Sequence, residues 1–162
     1  MKNKEKIKWC MKQKKGIELV EPNVNICTAY LKKVENSLKS MKLNYKSEIM
    51  EWAVDAAYYA RYQSIYALLQ RCGIKSEIHD CSLSVFRFLF KDSFDEEMFE
   101  QIEKAKEQRV DLTYYTNRLI PKEEIAKNIA DAPDFTLVVE EFINKLTQEA
   151  IEDYRDKVEE CK

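Results

Sequence analysis

Val24, Cys27, Leu31, Val34 and Leu38 recur at steps of three and four with lysines on the other faces, which predicts a helix from Asn23 to about Met41. A longer helix is predicted next. Ser47 suits an N-cap, Glu48 follows in the first turn, and the pattern runs to about Arg71, where Gly73 supplies the stop. Ile49, Trp52, Ala53, Ala56 and Ala60 make one stripe, and Tyr58, Tyr62, Ile65 and Leu69 another. A helix apolar almost all round belongs at the centre, and its alanines let neighbours approach closely. "CSLSVFRFLF", after His79 and Asp80, predicts a shorter third helix ending near Lys91. A fourth opens at Ser93 or Asp95 with Asp95, Glu96 and Glu97 at the positive end of its dipole, and runs to about Asn117. Beyond Pro121 a short helical piece leads through "DAP" to a last helix from Phe135 to about Lys157, with Val138, Val139, Phe142, Ile143 and Leu146 facing inward.

The expected architecture is all-α: an antiparallel bundle of about five helices over residues 23–160, preceded by a basic N-terminal arm over 1–22. Residues 1–15 of that arm carry Lys2, Lys4, Lys6, Lys8, Lys12, Lys14 and Lys15 against Glu5 alone, and Trp9, Ile17 and Leu19 are candidate docking points. Its charge suits either a phosphate backbone or simple solvation. A chain of 162 residues is one domain, able to bury about two-thirds of the surface that its unfolded form exposes. Two glycines and three prolines are too few for the corners of a β-sandwich.

A net charge of −2 announces neither nucleic acid nor membrane for the molecule as a whole. No apolar run is long enough for a membrane span, and no apolar stretch follows the lysines as in a signal peptide. Five cysteines, an odd number, with one histidine argue against a disulfide framework and against zinc. The expectations are a reducing cytoplasm and no metal or other cofactor.

The candidate chemistry centres on the fourth helix. Its inward stripe reads Met98, Ile102, Ala105, Arg109, Leu112, so an arginine sits where a leucine is expected. An unpaired buried guanidinium costs several kcal/mol, so Arg109 must meet a carboxylate such as Asp55, an interface or an anionic ligand. Asp111, Tyr114 and Tyr115 follow within two turns. On the second helix, Tyr58, Tyr59, Tyr62 and Tyr66 are either core residues with hydroxyls at the rim or faces on which bases stack. The charge of Arg61 needs an exit that a dimer groove would provide.

"AAYYARYQSIYALLQRCGIKSEIH", followed at a distance by "RVDLTYY", resembles the HEPN superfamily (higher eukaryotes and prokaryotes nucleotide-binding domain). It is most similar to the prokaryotic branch with a YYA-type motif in its second helix, a Gly then a His in the following loop, and an R-x-x-x-D-Y-like element in its fourth. The likeness covers roughly residues 23–147, and the leader "KWCMKQKKGIELVEPN" resembles the N-terminal extension of archaeal members. The resemblance implies a bundle of four to five helices, a homodimer, binding of nucleotide or RNA, and a nucleotidyltransferase partner in a toxin–antitoxin or defence module.

Many members are metal-independent ribonucleases with an arginine, four to six intervening residues, then histidine. There the imidazole takes the ribose 2′-hydroxyl proton while the arginine stabilises charge at phosphorus. In this chain Arg109 takes the arginine position, and Tyr114 stands where the histidine would be. A phenol titrates near 10, too high for a good general base. Cys72, Gly73 and Ile74 occupy the positions that would have to hold arginine ahead of His79. Two alternatives stay open: His79 enters the cleft and meets Arg109 in space, or the site binds without cutting through Arg109, Arg61, Tyr59, Tyr62 and Asp111. Whether Tyr114 accepts a nucleotidyl group is equally open.

Overall fold

The computed structural model describes residues 2–162. Its elements are α1 (Lys2–Lys12), β1 (Glu18–Leu19), α2 (Val24–Lys46), α3 (Met50–Arg71), β2 (Ile74–Lys75), α4 (His79–Phe90), α5 (Glu96–Tyr114), α6 (Lys122–Lys145) and α7 (Gln148–Glu159). The all-α bundle expected from the periodicity is the fold. Among the described residues seven helices replace the expected five or so, because the leader is itself helical and the C-terminal region divides at a different place.

α3 is the axis. Ala53, Val54, Ala57, Tyr58, Ala60, Ile65, Ala67, Leu68 and Leu69 are all fully buried, on every side of the helix. α2 lies along it, with α5 and α6 on other faces. The first two residues of its alanine stripe depart from expectation: Trp52 is 57% exposed and Ile49 43%. Ser47 ends α2 rather than opening α3, because Glu48 takes a positive φ of 61° and turns the chain before the new helix starts. α3 begins at Met50, and Ile49 before it offers no side-chain cap, whereas Asn23 caps α2 by accepting from the Ile26 amide at 2.8 Å.

The leader is not an extended arm. In α1, Ile7 and Cys10 are completely buried against α4, while Trp9 is exposed beneath the Lys6 ammonium, 4.3 Å from its ring centre. Cys10 and Cys81 form a disulfide across 71 residues of chain. The odd cysteine count had argued against disulfides, but helix docking brings one pair together and leaves Cys27, Cys72 and Cys161 buried as thiols. After α1, Glu18 and Leu19 pair antiparallel with Lys75 and Ile74. Gly73 enters that ribbon with a positive φ of 69°, and Arg155 of α7 donates to the carbonyls of Val20, Cys72 and Gly73 there.

Pro133 does not break the chain as "DAP" suggested; it lies inside α6. Losing one helical N–H is outweighed by burial of Ile129, Ala132, Phe135 and Val139 in the seam against α3. The break falls at Leu146 and Thr147, whose hydroxyl caps α7. Val138, expected inward, is 42% exposed. No helix among the described residues is long and apolar enough to cross a membrane.

Candidate functional site

Tyr58, Tyr62 and Tyr66 follow one another at steps of one helical turn, so their rings stack along one side of α3. Centroids lie 5.9 Å apart for the first pair and 6.1 Å for the second, with planes near parallel. His79, the first residue of α4, lays its imidazole on Tyr62 at 4.0 Å and 11°, and its Nδ1 shares a 3.0 Å hydrogen bond with the Tyr58 hydroxyl. The Tyr62 hydroxyl meets Ser82 Oγ at 3.1 Å.

From α5, Arg109 reaches the same aromatic wall. Its Nε donates to Asp55 Oδ1 at 2.7 Å and its Nη2 to the Tyr59 hydroxyl at 3.3 Å. The guanidinium carbon stands 5.3 Å from the Tyr58 ring centre and 5.0 Å from that of Tyr59. Arg109 and Asp55 are 19% and 23% exposed at their side chains, so the pair is largely buried yet reaches solvent at one edge.

The electrostatics follow from this packing. Burial lowers the His79 pKa, and the positive charges of Arg109 and Lys106 push it the same way against the opposing pull of Asp80. The imidazole is therefore neutral at pH 7. Burial works against the Arg109 charge, but the bond to Asp55 and the neighbouring phenols outweigh it and hold the guanidinium above its ordinary value. Burial also raises both stacked phenols, Tyr58 strongly and Tyr62 to about 12, so both stay protonated and uncharged. A neutral imidazole and a fixed cation, both part-buried beside the Tyr59 ring, can bind a phosphodiester and can accept a proton from an alcohol.

Four of the seven residues singled out from the sequence meet here: Arg109, His79, Tyr59 and Tyr62. Three do not. Tyr114 is 65% exposed at the C-terminal end of α5. Asp111 is engaged by Arg118, whose guanidinium stacks 3.7 Å from the Tyr115 ring centre. Arg61 is completely buried on another side of α3, against Gln101 and Asn128. Sequence reasoning passed over Lys106, which pairs with Asp80 and adds positive charge beside His79. Its position three residues before Arg109 was the available signal. Among the described residues no group of side chains could hold a metal ion.

The fold and this side-chain cluster together define a class: a helical bundle in which a tyrosine-rich central helix holds an arginine from one neighbour beside a histidine from another. The HEPN domain model matches residues 28–146, from early α2 to the end of α6, and the chain belongs to the HEPN family. It is also similar to a protein of Methanocaldococcus jannaschii named "Putative toxin MJ0142", with 32% identity over 96 residues. That alignment covers 58% of this chain and 65% of the relative, so just under two-thirds of the relative's length is spanned.

Proposed function

We propose that this chain is a toxin-type HEPN protein that binds nucleotide or RNA in the Arg109–His79 cleft, acting in the cytoplasm with a nucleotidyltransferase partner in a toxin–antitoxin or defence module. The observation that carries the reading is the Arg109 guanidinium, held over two tyrosine rings with one carboxylate partner and beside a neutral imidazole. Asp55 neutralises the cation in the free protein, and a phosphate displaces or shares that contact. Tyr59, half-buried beside the guanidinium, supplies aromatic surface for a base, while Tyr62 is covered by the His79 ring and backs it from within. The similarity to a protein named as a toxin supports the module, and the exposed Leu43, Ile49 and Trp52 around the α2–α3 turn offer apolar surface to a second subunit of a homodimer.

Titration of fluorescent short RNAs tests this. Arg109→Ala should weaken binding about tenfold or more and flatten its salt dependence, the loss expected when one charge-assisted phosphate contact goes. Unaltered affinity would remove the cleft from the account.

One observation favours cutting over mere binding. His79 lies 30 positions before Arg109 yet flanks the same two rings, with centroids 6.0 Å from Tyr58 and 6.1 Å from Tyr59. In a metal-independent ribonuclease, Nε2 of His79 would take the 2′-hydroxyl proton, with Nδ1–H donating to the Tyr58 hydroxyl oxygen, while Arg109 stabilises the developing phosphorane charge. Cleavage in the presence of chelator, abolished by His79→Ala and retained in Tyr114→Phe, would establish that role. An intact RNA ladder with the wild-type protein freed of its partner leaves binding alone.

A further inference from the structure

The Arg109 charge is matched by Asp55; that of Arg61 is not matched at all. Arg61 has no exposed surface, and every acceptor it finds is neutral. Nε donates to Gln101 Oε1 at 2.8 Å, Nη1 to the Ala57 carbonyl at 3.2 Å and Asn128 Oδ1 at 2.7 Å, and Nη2 to the Asn128 carbonyl at 2.8 Å. Among the described residues no carboxylate comes within ion-pair distance. Asp131 is near enough to be felt, but it is bonded to Lys127 at 2.6 Å. A buried cation without a counter-charge is one of the more costly arrangements a protein interior holds.

A second orphan lies in the same place. Asn128 Nδ2 donates to Gln108 Oε1 at 2.7 Å, which fixes the Gln108 amide and leaves its Nε2 with no partner, in a side chain only 4% exposed. Leaving such a donor unsatisfied costs about 1–3 kcal/mol. Arg61 and Gln108 line a cavity of about 220 Å³ between α5 and α6. None of its lining residues belongs to the Arg109 cleft. Its outer wall carries four carboxylates and two ammonium groups: Glu97 and Glu100 make no ion pair among the described residues, whereas Glu124 faces Lys104 at 3.9 Å and Asp131 holds Lys127 at 2.6 Å.

We propose that this cavity binds a small zwitterion of the α-amino-acid type, its carboxylate taken by Gln108 Nε2 once that amide turns toward the cavity, with the sealed Arg61 charge behind it, and its ammonium by Glu97 and Glu100. The inner end offers donors and positive charge only, so the entering group is an anionic acceptor. The outer acids repel a dianion and favour a cation, which excludes inorganic phosphate. The site is independent of the nucleic-acid reading, since it shares no residue with it.

Thermal shift and ligand-observed NMR with glycine, alanine, acetate, methylamine and inorganic phosphate test the proposal on the full chain. Glycine or alanine should bind saturably and raise Tm, acetate should bind more weakly, and methylamine and phosphate should do neither. Gln108→Glu keeps the acceptor for Asn128 and places a carboxylate where the orphan donor pointed. It should raise the Tm of the free protein and weaken amino-acid binding at least about tenfold, as loss of a charge-assisted contact implies. Arg109→Ala should leave the amino-acid response unchanged, which separates this site from the RNA cleft. No saturable binding to any probe, binding that Gln108→Glu retains, or a lower Tm for that variant would each overturn it.

Discussion

At the scale of single residues, His79 is the group whose environment differs most usefully from water. Its pKa is lowered in the fold from an ordinary 6.5, by burial first and then by Arg109 and Lys106. Between the lowered folded value and 6.5 the unfolded chain binds the proton and the native one does not. Stability tied to this residue is thus complete above pH 6.5 and is lost as the pH falls below it. Melting curves at a series of pH values should show wild type losing more Tm on acidification than His79→Phe, which keeps the stack on Tyr62 without the titration. Parallel pH profiles for the two proteins would mean that the ring is solvated. Arg109→Lys makes a second test at this scale. A lysine retains the charge but not the two-directional fork that serves Asp55 and Tyr59 together, so RNA affinity should fall nearly as far as in Arg109→Ala.

Arg109 was legible from its place in an apolar stripe, and the aromatic wall from the spacing of its tyrosines. The partnership of Arg109 with Asp55 was one of several readings open at that stage. That His79 would stack on Tyr62 was not legible, because the turn from Gly73 to Ile78 decides where α4 starts, and a turn has no periodicity to read. Arg61 looked like a ligand-binding cation of the same cleft. It differs because α3 is buried all round, so residues three positions apart on it can serve separate neighbours: Tyr58 faces α4 while Arg61 faces α6.

Among the elements, the junction around Gly73 joins the most distant parts of the chain. A Cβ there would press on the Val20 carbonyl and the Arg155 guanidinium, and φ is 69°. The carbonyl is backbone and cannot swing aside. Gly73→Ala should therefore destabilise the protein by more than about 2 kcal/mol, the left-handed penalty alone being roughly 1–2. Chemical denaturation reads this directly, and a change under half a kcal/mol, on the order of ordinary surface substitutions, would contradict the packing. The Cys10–Cys81 link makes a parallel prediction for α1. Closing a loop of that length contributes about 4 kcal/mol in the chain-entropy account, so reductant or Cys10→Ala should lower Tm clearly. Hydrogen exchange should localise part of the loosening to α1. Indifference to reductant would mean that the two sulfurs pack as thiols. Helix boundaries were readable where caps and acids marked them, as at Asn23 and Asp95. They were misread where a proline sits in a well-packed helix, since periodicity weighs Pro133 alone and not the face it helps to bury.

For the whole molecule, the two ends of the chain come together, with Cys161 close enough to feel Lys4 and Lys8, and a groove lined by Lys8, Lys12, Ile17 and Lys162 between them. Deleting residues 1–12 should consequently lower the melting temperature of the entire bundle, because Ile7 and Cys10 are completely buried against it. If the shortened protein melts like the full one and loses only RNA affinity, α1 is an appendage serving ligand rather than fold.

The amino-acid order by itself determined that this chain is helical, that α3 is central and that an arginine stands in an apolar seam, because these follow from periods of three and four and from the cost of burying charge. Only the tertiary structure decided which carboxylate meets that arginine, which cysteines meet one another, and that a second guanidinium is sealed away with an orphan amide beside it. Those outcomes depend on how helices far apart in the chain are turned about their own axes when they pack. Neither local periodicity nor residue type records that rotation.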